Sequence, residues 1–207
     1  MRNMKVKICG VTSVEDAQAA MDMGADILGF NFFPQSPRYV TVDQAKAIAT
    51  KLPAFIGLAG VFVNSTREAI CEAVEICFLD WIQLHGDETP EFCQSFSRDA
   101  IKVMKAIRVK ESADIDRANA FPVHAILLDA FHPERYGGTG EAFDWGLITH
   151  TGKRVFLGGG INPDNVVEAV ELDMYGIDVC SGIESEPGKK DHEKMQALFN
   201  NIRHLRG

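Results

Sequence analysis

Eight short apolar runs recur along the chain, at 5–9, 27–32, 55–63, 81–85, 101–108, 124–129, 154–158 and 177–181. Each is rich in β-branched or aromatic residues, and between them the apolar positions fall into helical spacing. Val14, Ala17 and Met21 share one helical face, as do Ile70, Ala73, Val74 and Cys77. Val166, Val167 and Val170 define another, and Met195, Leu198, Phe199, Ile202 and Leu205 make the clearest stripe. Segments 90–97, 112–119 and 143–149 predict shorter helices. Strands that read as continuous apolar runs are buried on both faces, which calls for a parallel sheet covered by helices. Eight β-α units without a break in composition predict an α/β fold, a single-domain (β/α)8 TIM barrel of minimal length spanning 1–207. An open doubly wound sheet is the alternative, but no Gly-x-Gly-x-x-Gly follows the first strand to favour it.

Boundary residues agree with these units. Ser13 and Asp16 have the spacing of a capping box, in which hydroxyl and carboxylate satisfy first-turn donors. Asn162-Pro163-Asp164 sets a cap residue before a proline at the first helical position, then an acid that the helix dipole favours. Gly24 is placed to stop the first helix.

Composition excludes several classes of function. With 46% hydrophobic and 24% charged residues the chain can build a large core, and no apolar stretch approaches the length of a membrane span. A net charge of −8 argues against a nucleic-acid or anionic-membrane partner. The N-terminal residues run directly into a charged strand without a signal-peptide apolar segment. Five cysteines (Cys9, Cys71, Cys77, Cys93, Cys180) without a Cys-x-x-Cys pair suit neither a disulfide framework nor a zinc site. Six histidines lack metal-binding spacing, so no metal is expected, and a cytoplasmic protein with reduced thiols is the expectation.

In a barrel of this kind, phosphate sits at the loops after strands seven and eight. Gly158-Gly159-Gly160-Ile161-Asn162 follows strand seven, and consecutive glycines let backbone N–H groups turn toward an anion unobstructed. Cys180-Ser181-Gly182-Ile183-Glu184 follows strand eight with a hydroxyl, a glycine and room for one helical turn. Either segment alone could be a tight strand-to-helix turn. Together they mark Gly159, Gly160, Ser181 and Gly182 as phosphate-binding candidates and the substrate as phosphorylated. No Gly-Lys-Ser/Thr follows, so this is not a nucleotide P-loop.

Strand parity selects the chemistry. Lys5, Lys7 and Cys9 share one face of the first strand, and the apolar Val6 and Ile8 face the helices, so Cys9 points into the barrel mouth. An isolated cysteine is usually a small core residue, but one ending a barrel strand is a candidate base. Leu127 and Asp129 share a face of strand six, and a carboxyl within apolar walls tends to hold its proton, making Asp129 a candidate general acid. A capping or salt-bridged aspartate is the competing reading. A thiol base and a carboxyl acid in one mouth imply proton shuttling on a sugar phosphate, with no metal or organic cofactor required. Arg38, in a proline-stiffened loop with aromatics, has the fork geometry to read a substrate carboxylate, although a surface ion pair is the commoner fate of a loop arginine. Gln83 and His85 project from one face of strand four as substrate contacts, His85 being equally a satisfied barrel histidine. Asp178 on strand eight completes the expected substrate-binding set.

Seven motifs in order then resemble the phosphoribosylanthranilate isomerase family over essentially the full length. They are Lys7-Ile8-Cys9-Gly10, Gly60-Val61-Phe62-Val63-Asn64, Gln83-Leu84-His85-Gly86, Leu127-Leu128-Asp129, Tyr136-Gly137-Gly138-Thr139-Gly140, Gly159-Gly160-Ile161-Asn162-Pro163, and Ser181-Gly182-Ile183-Glu184 with Pro187-Gly188-Lys189-Lys190-Asp191. The resemblance implies a cofactor-free Amadori rearrangement of N-(5-phosphoribosyl)anthranilate to 1-(2-carboxyphenylamino)-1-deoxyribulose 5-phosphate in tryptophan biosynthesis. It implies that Asp129 protonates the ring oxygen, Cys9 takes the C2′ proton, Arg38 holds the anthranilate carboxylate and the glycine loops hold phosphate. It is compatible with a monomer or homodimer and with other tryptophan-pathway enzymes as partners. Cys180 departs from the pattern, where serine or another small residue is expected, and so does the bulk of Phe131-His132-Pro133-Glu134-Arg135. The rival readings are a sister phosphoribosyl isomerase, which has aspartate in place of Cys9, and an inactive sugar-phosphate-binding barrel. An epimerase-like barrel would need metal-binding histidines and acids at strand ends.

Overall fold

A computed structural model describes residues 4–97, 100–132, 137, 142–148 and 151–205. Strands β1 (Lys5–Cys9), β2 (Ile27–Asn31), β3 (Gly57–Phe62) and β4 (Trp81–Leu84) pair in parallel with their sequence neighbours. So do β5 (Lys102–Val109), β6 (Ala125–Ala130), β7 (Arg154–Leu157) and β8 (Gly176–Val179), and β8 pairs with β1 to close an eight-stranded barrel. The expected (β/α)8 barrel is the observed architecture.

Helices α1 (Val14–Met23), α2 (Val42–Ala49), α3 (Arg67–Cys77), α4 (Pro90–Gln94), α5 (Ser112–Ala118), α6 (Val166–Glu171) and α7 (His192–Ile202) cover the outside. A short hairpin, β9 (Glu184–Glu186) with β10 (Lys189–Lys190), lies between β8 and α7. Five helices start where a side chain replaces a missing acceptor: Ser13, Thr41, Thr66, Thr89 and Asp191 each accept a first-turn N–H. Gly24 ends α1 at φ 108°, a left-handed conformation that glycine adopts without a Cβ clash.

Several boundaries differ from the sequence reading, each for a local reason. α2, which the sequence reading does not include, buries a face of Ala45, Ile48 and Ala49 and is started by a reciprocal capping box between Thr41 and Gln44. The box expected at Ser13 closes only halfway, because the Asp16 carboxylate is taken by the Lys190 N–H at 3.0 Å and by His192 Nε2 at 2.8 Å. α6 begins at Val166 rather than Pro163, since Asn162 Oδ1 accepts from both Asp164 and Asn165 and spends a turn before the helix. The helix expected at 143–149 is a single 3-10 turn, Trp145–Leu147, started by Asp144, with residue 149 outside the described residues. β3 starts at Gly57, leaving Phe55 outside the strand and 83% exposed.

Two apolar layers hold the barrel. Val6, Ile8, Leu28, Phe30, Ile82 and Ile177 face outward against Ala17, Ile70, Val166, Leu198 and Ile202 of the helices. Inside, Ile27, Ala59, Trp81, Met104, Ala106, Ala125, Leu127 and Phe156 plug the lower interior. Above that plug the inward-facing residues become polar, and there the site begins.

Candidate active site

Further along the inward strand faces, the interior presents Cys9, Asn31, Val61, Gln83, Asp129 and Asp178, followed by His85 and Cys180 beyond the ends of β4 and β8. They line a cavity of about 420 Å³ at the C-terminal ends of the strands, together with Arg38, Gly159, Gly160 and Ser181. Of the expected site residues only Gly182 is not part of the lining. Barrel closure brings them together from six separate segments.

Cys9 lies in a dense charged cluster. Lys7, fully buried on the same face, reaches Asp178 Oδ1 at 2.8 Å. Lys190 donates to the Cys9 carbonyl at 2.6 Å and to Glu184 Oε1 at 2.9 Å. A hydrogen bond from Cys180, with the nearby Lys7 and Lys190 ammoniums, outweighs burial and holds the Cys9 thiol well below its ordinary pKa. The same bond and burial push Cys180 up, so that thiol is the donor of the pair. Burial pushes the Asp178 carboxyl up to about 6, against the pull of Lys7.

Asp129 sits on the opposite side, at the end of β6. Its Oδ1 accepts the Ala130 N–H at 2.9 Å, and its Oδ2 lies 3.1 Å from His85 Nε2. His85 Nδ1 is in turn 2.9 Å from the Gln83 amide, and Gln83 Oε1 has no partner among the described residues. Gln83 and His85, expected as substrate contacts, therefore line the cavity and also form a chain that orients Asp129.

Arg38 is buried and forks onto Glu184, with Nε at 2.9 and 3.1 Å and Nη2 at 2.7 Å. Burial would raise the Glu184 pKa, but Arg38 and Lys190 hold it below the usual carboxylate range. Nη1 makes no hydrogen bond among the described residues. The two glycine loops approach each other on the β7–β8 side. Gly159 and Gly160 have φ of 76° and 68°, and the N–H groups of Gly159, Gly160, Ser181 and Gly182 enter no hydrogen bond among the described residues. Gly182 owes its identity to packing: a Cβ there would run into the Ile161 carbonyl oxygen.

Sequence reasoning passed over Lys7, Glu184 and Lys190 as members of the site. Lys7 was legible as an inward-facing lysine beside Cys9, a costly choice for a barrel interior unless it is paired. Glu184 and Lys190 stand in the last of the resemblance motifs but carried no role there; they reach the site through the β9–β10 hairpin. Of the motif at 136–140, only Gly137 lies within the described residues, and it lines the cavity. Among the described residues no cluster of three His, Cys, Asp or Glu side chains could hold a metal ion, and no helix is long and apolar enough to cross a membrane.

The family model for N-(5'phosphoribosyl)anthranilate (PRA) isomerase matches residues 6–201. A protein named N-(5'-phosphoribosyl)anthranilate isomerase from Magnetococcus marinus is 48% identical, over 97% of this chain and 95% of that protein. Phosphoribosyl anthranilate isomerase from Thermus thermophilus superposes with a TM-score of 0.90 at 39% identity, over 98% of this chain and 100% of that one. A further such isomerase, solved in complex with reduced 1-(o-carboxyphenylamino)-1-deoxyribulose 5-phosphate, has a TM-score of 0.82 at 36% identity and the same coverage.

Proposed function

The chain belongs to the N-(5'-phosphoribosyl)anthranilate isomerase family, and from that premise we propose that Cys9 and Asp129 are the base and acid of its reaction. It is an isomerase of tryptophan biosynthesis, converting N-(5'-phosphoribosyl)anthranilate to 1-(2-carboxyphenylamino)-1-deoxyribulose 5-phosphate. Such a rearrangement needs a proton delivered to the ring oxygen and another removed from C2′. Asp129 delivers the first, from Oδ2, where His85 Nε2 keeps the carboxyl aimed into the cavity. Ring opening leaves a protonated Schiff base, which acidifies C2′. Cys9 then takes the C2′ proton, and the resulting enolamine tautomerises to the ketone.

Binding follows the two ends of the substrate. Arg38, fixed by Glu184, offers Nη1 to the anthranilate carboxylate. The N–H groups of Gly159, Gly160 and Ser181 take the phosphate at the other end of the cavity. Asp178 faces the middle, against the ribose and the bridging amine. The observation carrying this reading is that one cavity holds a thiol and a carboxyl on opposite strands, with a cation and a row of N–H donors flanking them. Loss of anthranilate fluorescence from freshly generated substrate measures turnover. Cys9→Ala and Asp129→Asn should each slow it by about 10²–10⁴-fold while the protein stays folded, the usual contribution of an acid–base group. Near-normal turnover in either variant would remove that residue from the mechanism.

A further inference from the structure

A thiol buried to this extent should be a poor base, because burial without compensation disfavours the thiolate. The chain carries its own comparison. Cys77 and Cys93 are buried in apolar surroundings, and burial pushes the Cys93 thiol up to about 11 and raises Cys77 as well. Cys9 is buried too, yet it sits beside an ammonium that is itself wholly out of water.

From this arrangement we infer that Lys7 is a positioning residue that holds Cys9 as a thiolate before substrate arrives. The inference rests on the reading of Cys9 as the base. A Cβ built on Gly29 would stand 3.1 Å from Cys9 Sγ and 3.2 Å from Lys7 Nζ, so both groups crowd the space that this glycine leaves open. Gly29 pairs in register with Cys9 across β1 and β2, which puts that space between the two side chains. Asp178, from β8, fixes the ammonium from its other side at 2.8 Å.

Charge around the pocket points the same way. Lys7 of β1, Arg38 after β2 and Lys190 of β10 bring positive charge, while Asp178 of β8 and Glu184 of β9 bring negative charge. Cys180, at the end of β8, is the neutral donor, and Asp129 of β6, two strands along the barrel wall, faces Asp178. Of the three cations, Lys190 binds the Cys9 carbonyl and Glu184, Arg38 binds Glu184, and Lys7, held by Asp178, is the one that shares the space over Gly29 with the sulfur.

Iodoacetamide alkylation of the full chain, followed peptide by peptide by mass spectrometry from about pH 5 to 9, reads the thiolate fraction of Cys9 without any turnover. Wild-type Cys9 should react with a midpoint well below the about 8.5 of an ordinary thiol. Lys7→Met should raise that midpoint by at least about one pH unit, which slows the reaction about tenfold at any pH below both midpoints. If Lys7→Met does not fold, Lys7→Gln removes the charge while keeping a donor to Asp178. Cys180→Ser, which keeps a donor to Cys9, should preserve the dependence on Lys7. A wild-type midpoint at or above 8.5 overturns the inference, and so does a folded Lys7 variant with an unchanged profile. Turnover by Cys9→Ala would instead sink the role of Cys9 as base and leave the alkylation result standing, so the two failures are distinguishable.

Discussion

Arg38 shows how much one side chain can be asked to do. It is buried, it neutralises Glu184, and its Nη1 is the donor proposed for the substrate carboxylate. Truncating it therefore has two consequences that a single activity number would merge. Removing one partner of a buried ion pair typically costs about 3–5 kcal/mol, because the other charge is left uncompensated. Arg38→Met should thus lower stability as well as weaken binding. The double variant Arg38→Met/Glu184→Gln should recover none of the affinity and little of the stability, because the buried Lys190 then loses its carboxylate partner. Its KM should rise more than its kcat falls, as expected for a group that binds substrate and transition state about equally. If the double variant regains wild-type KM in steady-state assays, another residue reads the carboxylate.

Among the elements, the two loops proposed for phosphate differ in what their glycines are for. Gly160 holds a φ of 68°, a left-handed conformation that a Cβ makes unfavourable by about 1–2 kcal/mol. Its carbonyl is pinned by the Asn162 and Asn165 side-chain amides, which fixes the direction of the loop. Gly182 lies against the Ile161 carbonyl, where the β7 and β8 loops cross. Inorganic phosphate should inhibit competitively, and Gly160→Ala should weaken that inhibition with only a modest fall in melting temperature. Gly182→Ala should instead lower the melting temperature sharply, because backbone rather than a flexible side chain stands in the way. Equal thermal shifts for the two variants would show that the distinction is wrong.

Over the whole molecule, closure of β8 onto β1 makes part of the fold's stability depend on pH. Asp178 is buried where those strands meet, with its pKa raised to about 6, above the about 3.9 of an unfolded aspartate. The folded chain therefore holds that proton more tightly than the unfolded chain does. This group favours the fold fully below about pH 4, and its contribution is lost as pH rises through about 6. Asp178→Asn should remove that component, so thermal melts across this range should fall less steeply with rising pH than for wild type. Parallel profiles for the two proteins would rule the assignment out.

The strand count, the strand order and the inward direction of Cys9, Asp129, Gln83 and His85 were all legible from the chain. Strand parity and run length are local, and a parallel barrel has only one way to use eight such units. Short helices are less visible: α2 spans eight residues whose buried face is mostly alanine, and the turn at Trp145–Leu147 is shorter than the spacing suggests. Tertiary structure alone decided which charges meet. Lys7 and Asp178 are 171 residues apart, Arg38 and Glu184 are 146 apart, and Lys190 reaches the Cys9 carbonyl across 181. No pattern of neighbouring residues encodes such pairs, because they exist only once the last strand has closed against the first. Strand parity, a property of neighbouring residues, already places a thiol and a carboxyl in one barrel mouth. Closure decided that the thiol would sit beside a buried lysine, and a charge out of water acts most strongly on whatever stands next to it.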